Sequence, residues 1–289
     1  MSYQIVTDAT ADMCPEMLAG LPEIHILPMD IMLGSTPYVY GPEGNITTDE
    51  FYAAQHKGEF ASTSQINPAS YQEHFEQILA KGKDILYLCF SSGLSGSFQN
   101  AQMCAKDLKE SYPDRKIICI DTLCASVGEG FLVREAARMQ ANGMELEALA
   151  RWVSDQRLKI CHWFTVDTFD HLKHGGRVSA AAAAMGTLLQ IKPMLHVDTN
   201  GRLEVKEKPR GRKRAMDAQM ERMKKGWLPS EGPLIVIGHG DAPDRACELR
   251  DTVLKEFPDA EVYIAPIGPV IGSHTGPGML ALIFWGTER

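Results

Sequence analysis

The chain has 289 residues, of which 44% are hydrophobic, 23% charged and 8% aromatic. These proportions are typical of a globular protein and exclude a chain that is mostly disordered. No apolar run approaches the roughly 18 residues of a membrane span, and the first residues lack the basic and apolar stretches of a secretory signal. We therefore expect a soluble cytoplasmic protein with one large or two medium domains.

The formal net charge of −8 argues against a nucleic-acid-binding protein, which would need a basic surface. Charge is unevenly distributed, because residues 1–155 carry 10 Lys and Arg against 21 Asp and Glu, whereas residues 156–289 carry 19 against 16. This contrast is consistent with two lobes, one of which docks a partner electrostatically. It is equally consistent with random variation on solvated faces.

Seven cysteines are scattered along the chain and form no C-x-x-C pair. An odd number at such spacing argues for reduced thiols, and against a disulfide framework or a zinc ribbon. His171 and His174 lie three residues apart, but no third ligand follows at metal spacing. We expect neither a metal site nor a cofactor.

Strand-like and helix-like runs alternate through the first half of the chain. Short apolar runs predict strands over residues 3–7, 24–33, 84–90 and 116–121. Helices are predicted from Thr48, behind the capping-box spacing of Thr47 and Glu50, from Pro68 behind Asn67, and over residues 97–112 and 126–141. This alternation predicts a parallel sheet covered by helices.

The pattern changes after a predicted helix near residues 145–157. Two strand-like runs flank Asn200-Gly201, which is the strongest short signal for a β-hairpin. Further strands are predicted near residues 162–166, 234–238, 261–266 and 279–285, and helices near residues 178–189 and 243–257. We predict a two-domain α/β protein, with a parallel-sheet N-terminal domain over residues 1–157 and an α+β C-terminal domain over residues 158–289.

Three polar segments are candidates for a functional site. Ser91–Ser97 (SSGLSGS) lies between a buried strand and a helix, where α/β sheets bind ligands and free helix N–H groups favour an anion. Thr63–Gln65 precedes the helix that begins at Pro68, and Pro269–Gly278 holds His274 among prolines and glycines. A loop histidine of this kind can donate a hydrogen bond to an anion or act as a base. Each segment is also consistent with an ordinary loop.

Six segments, in the same order along the chain, resemble the motifs of the DegV family: Ile5–Asp12 (IVTDATAD), Thr63–Gln65 with Pro68, Ser91–Ala101 (SSGLSGSFQNA), Asp170–Val178 (DHLKHGGRV), Ile191–Pro193 (IKP) and Gly268–Gly278 (GPVIGSHTGPG). The resemblance covers essentially the whole chain. It implies a two-domain α/β protein, without catalytic activity of its own, that buries a long-chain fatty acid between its lobes. Members of this type present the fatty acid to a separate fatty acid kinase, which forms the acyl phosphate.

The same resemblance implies seven ligand-binding residues at or near the carboxylate: Thr63, Ser64, Ser91, Ser92, Gly93, Arg177 and His274. Of these, Thr63, Ser92 and His274 are expected to contact the carboxylate directly. Arg177 is expected either near the head group or on the surface that faces the kinase. A carboxylate withdrawn from water needs such hydrogen bonds, and the acyl tail gains about 0.8 kcal/mol per buried CH₂ group.

Two other functions stay open at this point. Ser92 and His274 are candidates for the nucleophile and base of a serine-dependent hydrolase or acyltransferase, although the chain lacks the G-x-S-x-G signature there. Alternatively, the basic run from Lys206 to Arg214 is suited to an acidic or phosphate-bearing protein partner.

Overall fold

The computed structural model describes residues 2–178 and 190–289, so the predicted helix over residues 178–189 lies, apart from Val178, outside the described residues. Within them the strands form three sheets. In chain order the strands are β1 Tyr3–Asp8, β2 His25–Leu27, β3 Met29–Leu33, β4 Thr36–Tyr40, β5 Ala61–Thr63, β6 Asp84–Cys89, β7 Ile117–Asp121, β8 Ile160–Thr165, β9 Met194–Val197, β10 Leu203–Glu207, β11 Leu234–His239, β12 Glu261–Pro266 and β13 Leu280–Trp285.

The first half contains a parallel sheet in the order β2-β1-β6-β7, which confirms the prediction for this half. Strand β6 is buried over its whole length, as expected for a continuous apolar run covered on both faces. The single strand predicted over residues 24–33 is wrong. It is divided at Pro28, which has no N–H for a strand ladder, and β3 belongs to a separate antiparallel sheet in the order β4-β3-β5.

The second half contains a six-stranded sheet in the order β10-β9-β8-β13-β11-β12. Its neighbouring strands are antiparallel except for β11 and β12, so the predicted α+β character is confirmed. The predicted hairpin is the pair β9–β10. Its turn is held by Asp198, whose carboxylate accepts the N–H groups of Asn200 and Arg202 at 2.8 Å each, and Gly201 adopts the positive φ of +72°.

Helices cover these sheets. In chain order the described α-helices are α1 Pro15–Leu18, α2 Thr48–His56, α3 Pro68–Leu79, α4 Ser97–Ser111, α5 Val127–Ala141, α6 Leu146–Gln156, α7 Asp170–His174, α8 Arg212–Gly226, α9 Pro243–Glu256 and α10 Pro269–Thr275. The predicted capping box is present, with the Glu50 N–H donating to Thr47 Oγ1 at 3.2 Å and the Thr47 N–H donating to Glu50 Oε2 at 2.9 Å. Asn67 caps α3 as predicted.

The segment around His274 is a helix and not the loop that the sequence analysis assumed. Two prolines and three glycines within Pro269–Gly278 suggested an irregular path. Proline at the first helical position is compatible with a helix, because its missing N–H would have no partner there. His274 therefore sits on a short helix, α10, and is oriented by the packing of that helix.

Helix α5 packs against both larger sheets. It contacts β1 and β6 of the parallel sheet as well as β8, β11 and β13 of the six-stranded sheet. One hydrophobic cluster accordingly contains Ile5 and Leu86 from the first sheet, Phe131 from the helix, and Ile283 and Trp285 from the second sheet. Because this core runs across residue 157, the division into domains 1–157 and 158–289 stays a prediction.

Gly128 in the first turn of α5 packs directly on His162 of β8. A Cβ at this position would overlap the imidazole Nε2. The ring is held on two sides, because its Nδ1–H donates to Ile160 O at 2.8 Å and its Nε2 accepts the Ala125 N–H at 3.3 Å. Glycine is therefore required for helix α5 to approach the sheet this closely.

We expect Gly128→Ala to lower the free energy of unfolding by about 2 kcal/mol, because the added methyl group overpacks a site that cannot yield. The matched control is Gly226→Ala at the end of α8, where the nearest atom to a Cβ is Thr287 Oγ1 at 3.5 Å. That change should leave stability unchanged or raise it by about 0.5 kcal/mol, because alanine favours a helix. Urea unfolding followed by circular dichroism measures both. Equal effects of the two changes would contradict the packing argument.

Candidate functional site

A cavity lies between the six-stranded sheet, the start of α5, and helices α7 and α10. The space between the surrounding atoms, counted together with the open solvent at its mouth, is about 800 Å³. Apolar side chains form most of the wall, among them Phe90, Phe164, Val197, Leu203, Met279 and Ile283. This cavity is the candidate binding site.

Polar side chains gather at one end of the cavity. Thr63 at the end of β5 meets His274 in the last turn of α10, with 2.8 Å between Thr63 Oγ1 and His274 Nε2. Gln65 packs on Gly96, where a Cβ would overlap its side-chain oxygen. Four of the seven residues predicted as ligand-binding line the cavity together: Thr63, Ser64, Arg177 and His274.

His274 is a buried and neutral imidazole. Burial, with Arg177 and His174 nearby, lowers its pKa to about 4, so the ring carries no charge at neutral pH. Its Nδ1 is buried, lies against Gly175 and has no hydrogen-bond partner among the described residues. Any side chain at position 175 would collide with that nitrogen, which gives the Gly-Gly-Arg motif a physical reason: the first glycine makes room for the histidine.

Arg177 lies near His274 at the rim of the cavity. Its guanidinium donates to Gly175 O at 2.6 Å and to Leu94 O at 3.2 Å. The residue is exposed to solvent and also contributes to the cavity wall. It therefore connects the loop after β6 to the segment after α7 at the polar end, with its charge still accessible from outside.

Ser91, Ser92 and Gly93 are not among the residues that line the cavity. Ser91 Oγ donates to Gly201 O at 2.8 Å, and a Cβ on Gly93 would overlap the Asn200 and Gly201 carbonyl groups, so both residues contact the β9–β10 turn. Ser92 Oγ donates to Asp121 Oδ2 at 2.5 Å. Ser92 and His274 thus have different hydrogen-bond partners. The expected contact of these three residues with a ligand stays a prediction.

The sequence analysis did not single out Ser95, which does line the cavity. Its hydroxyl is 3.0 Å from Ser97 Oγ and accepts the Ser97 N–H at 3.2 Å, immediately before helix α4. The stretch Ser91–Ser97 was recognised as a whole. Which of its serines face the cavity depends on how the loop docks against the β9–β10 turn, and the sequence carries no signal for that contact.

Ser126 and Thr10 are two further wall residues that the sequence did not indicate. Ser126 has φ of +56° and ψ of −136°, an unusual conformation for a residue other than glycine. Its hydroxyl donates to Asp12 Oδ2 at 2.6 Å, and the second oxygen of the same carboxylate accepts the Gly268 N–H at 2.8 Å. One buried carboxylate thus links the residues that precede α5 and α10.

Two more buried carboxyl groups, Asp8 and Glu129, lie behind this wall. The Thr10 hydroxyl is within hydrogen-bond distance of both, but it has only one proton to donate. Asp8 also accepts the Tyr87 hydroxyl at 2.8 Å and the Thr10 N–H at 3.1 Å, which suits an ionised group. Burial raises the pKa of both carboxyl groups, but four hydrogen bonds oppose the effect at Asp8, whereas burial and the nearby Asp8 raise the pKa of Glu129 well above its usual range. Glu129 is therefore the protonated partner.

His171 and His174 do not form a metal site with other side chains. Each ring packs against Phe60, with ring centroids 4.9 Å apart in both pairs. Across residues 2–178 and 190–289, no group of three or more His, Cys, Asp or Glu residues is placed to hold a metal ion. In the same residues no helix has the length and apolar character needed to span a membrane.

The raised pKa of Asp12 predicts that the stability of the fold depends on pH. Burial raises its pKa to about 7, whereas an unfolded aspartate titrates near pH ~4. Between these values the folded chain holds a proton that the unfolded chain has released, so Asp12 lowers stability as the pH rises from about 4 to about 7. An asparagine amide can still accept the Gly268 N–H and can donate to Ser126. We expect Asp12→Asn to gain stability relative to the original chain over this range, on the order of 4 kcal/mol.

Urea unfolding at a series of pH values from about 4 to about 8 measures this difference. Asp259→Asn, in an exposed turn, is the control. A trend of the same size in the control, or a constant difference for Asp12→Asn, would contradict the assignment to the buried carboxylate.

Comparison with known proteins agrees with this architecture. Residues 2–286 match the family described as "Uncharacterised protein, DegV family". A DegV domain-containing protein of Clostridium perfringens is 38% identical over 287 residues, which are 99% of this chain and 98% of that protein.

Two solved structures share the fold over nearly their full length. The fatty acid binding DegV family protein from Streptococcus agalactiae is 30% identical, with a TM-score of 0.85 over 100% of this chain and 99% of that chain. A structure described as fatty acid binding of a DegV family protein from Thermus thermophilus is 29% identical, with a TM-score of 0.86 over 99% of this chain and 100% of that chain. The resemblance found in the sequence is confirmed, and the chain belongs to the DegV family.

Proposed function

We propose that this chain binds a long-chain fatty acid in the cavity, with the carboxylate at the Thr63–His274 end and the acyl chain along the apolar wall. The observation that carries the proposal is this polarity: a threonine hydroxyl and a neutral imidazole meet at one end of a cavity whose wall is mostly apolar. The names of the two similar solved proteins, both described as fatty acid binding, support the same ligand class.

The energetics favour a ligand with one charged end and a long apolar tail. A buried carboxylate costs several kcal/mol unless donors replace its water, and Thr63, Ser64 and the imidazole of His274 are suited to supply them. Arg177 adds a positive charge at the same end. Each methylene group moved from water to the apolar wall contributes about 0.8 kcal/mol. A long chain therefore more than offsets the cost of its head group.

The proposal extends to a protein partner. In the family that the sequence resembles, the bound fatty acid is presented to a separate fatty acid kinase, and we assign the same role to this chain, in the cytoplasm and without a cofactor. The polar end suits presentation because Arg177 is exposed while it also lines the cavity. A carboxylate held beside it lies near the surface, where a partner's phosphoryl donor can reach it.

A hydrolase with Ser92 as nucleophile gains no support from the geometry. Ser92 donates its hydroxyl proton to Asp121, and His274 faces Thr63. The expected pair of Ser92 and His274 would need the imidazole within hydrogen-bond distance of the Ser92 hydroxyl, and the imidazole is paired with Thr63 instead. The carrier function is therefore the one that the observed contacts favour.

Thr63→Val tests the ligand site. Valine has nearly the shape of threonine without the hydroxyl, so the carboxylate loses one hydrogen bond, and we expect affinity for a long-chain fatty acid to fall about tenfold to a hundredfold. Ser62→Ala is the matched control, because Ser62 precedes Thr63 on β5 but is exposed. Calorimetric titration with the purified chain measures both affinities. An unchanged affinity in a folded Thr63→Val protein would refute the head-group assignment.

The identity of the ligand has a separate test. We expect mass spectrometry of an organic extract of the purified chain to show fatty acid, or the delipidated chain to take up added fatty acid. Failure of both would remove the proposed function.

The kinase role is tested with the loaded chain, a fatty acid kinase and ATP. We expect acyl phosphate to form with the loaded chain and not when the same fatty acid is supplied without it, because the carrier positions the carboxylate. Equal formation without the carrier would limit the function to binding.

A further inference from the structure

The cavity runs along one face of the six-stranded sheet, so distances along the cavity can be obtained from the residue spacing of the strands. Three alternate residues line the cavity here: Met279, immediately before β13, and Ala281 and Ile283 on β13. Side chains two residues apart on a strand share a face, and an antiparallel strand rises about 3.4 Å per residue. From Met279, which follows helix α10 with its His274, the wall therefore extends about 14 Å to Ile283.

Strand β8 supplies the matching side chains. Ala281 pairs with Phe164, and Ile283 pairs with His162; both partners also line the cavity. The next pair on the same face is Trp285 with Ile160. Neither of these two residues is part of the cavity wall, so among the described residues the pair Ile283–His162 is the last one along this face that borders the open space.

Trp285 closes the space beyond this pair. Its side chain is buried, and its ring meets Phe131 edge-on with ring centroids 5.1 Å apart and an angle of 81° between the planes. Trp152 packs on it from another side, with ring centroids 6.2 Å apart. Tightly packed aromatic rings of this kind leave no room for a ligand.

His162 is a polar residue at this otherwise apolar end, but it presents no free hydrogen-bonding group. Its Nδ1–H donates to Ile160 O, and its Nε2 accepts the Ala125 N–H. Burial keeps the pKa of the ring well below its usual range, so it is uncharged. A ligand at this end meets Ile283 and a ring whose nitrogens are already occupied, while the hydroxyl proton of the nearby Ser126 is donated to Asp12. This arrangement suits a methyl group and not a polar one.

We propose that Ile283 and His162 form the subsite for the methyl end of the acyl chain, and that Ile283 sets the longest chain that the cavity accepts. This inference rests on the proposed function, because it presumes a fatty acid with its carboxylate at the Thr63–His274 end. Beyond the ligand class, it names Ile283 as the residue that determines chain-length preference. A larger side chain at position 283 shortens the cavity, and a smaller one lengthens it.

The test compares Ile283→Phe and Ile283→Ala in the full chain, by calorimetric titration with saturated fatty acids of increasing chain length. Each methylene excluded from the cavity lowers affinity about fourfold. For Ile283→Phe we expect the affinity for an 18-carbon acid relative to a 14-carbon acid to fall at least about tenfold. For Ile283→Ala the affinity for a 20-carbon acid relative to a 16-carbon acid should rise at least about fourfold.

Val236→Ala is the matched control. Val236 on β11 pairs with Ile283 and is buried in the same hydrophobic cluster, but it does not line the cavity. This change makes a void in the same core, and we expect the chain-length ratios to stay within about twofold of the original chain. Because ratios are taken within one protein, partial unfolding of a variant does not alter them. If Ile283→Ala fails to fold, Ile283→Val and Ile283→Phe still give opposite expected shifts.

A second probe tests whether the end is closed. Hexadecanedioic acid has a second carboxylate at the far end, where neither Ile283 nor His162 offers a free donor, so it should bind at least about a hundredfold more weakly than hexadecanoic acid. Equal binding would mean that the chain end reaches water, and would overturn the inference. So would unchanged ratios in both Ile283 variants while the original chain binds fatty acids. If the original chain binds no fatty acid, the proposed function itself fails.

Discussion

Asp12 occupies the position at which three parts of the molecule meet. Its carboxylate, near the end of β1, accepts the Ser126 hydroxyl proton and the Gly268 N–H, just before helices α5 and α10 begin. Both helices border the cavity. Because a buried carboxylate is costly without such donors, each hydrogen bond is strongly held and fixes the helix that follows it. The placement of His274 depends on this arrangement.

Close packing around small residues provides the remaining constraints. Gly128 allows α5 to rest on His162, Gly175 makes room for the imidazole of His274, and Gly96 accommodates Gln65. In each case the neighbour of the glycine is a polar side chain that borders the cavity. The glycines therefore position functional side chains, in addition to giving the backbone its freedom.

The cavity separates its polar and apolar functions in space. At one end an uncharged imidazole and a threonine hydroxyl lie 2.8 Å apart, with a solvent-exposed arginine beside them. At the other end, apolar residues and a histidine without free hydrogen-bonding groups face the open space. A ligand that carries one charge and a long apolar tail satisfies both ends. Ligands with a second polar group do not.

Sequence alone determined the features that arise within a short stretch of chain. The capping box at Thr47, the Asn67 cap, the buried parallel strands and the Asn200-Gly201 hairpin follow from neighbouring residues. The motifs identified the family and the segments that carry Thr63, Arg177 and His274. Tertiary structure decided which side chains face the cavity: Ser95, Ser126 and Thr10 line it, whereas Ser91 and Ser92 are turned to other partners. The physical reason is distance along the chain. Several of those orientations depend on contacts between residues more than a hundred positions apart, such as Ser91 with Gly201 and Ser126 with Asp12, and a local pattern contains no information about them.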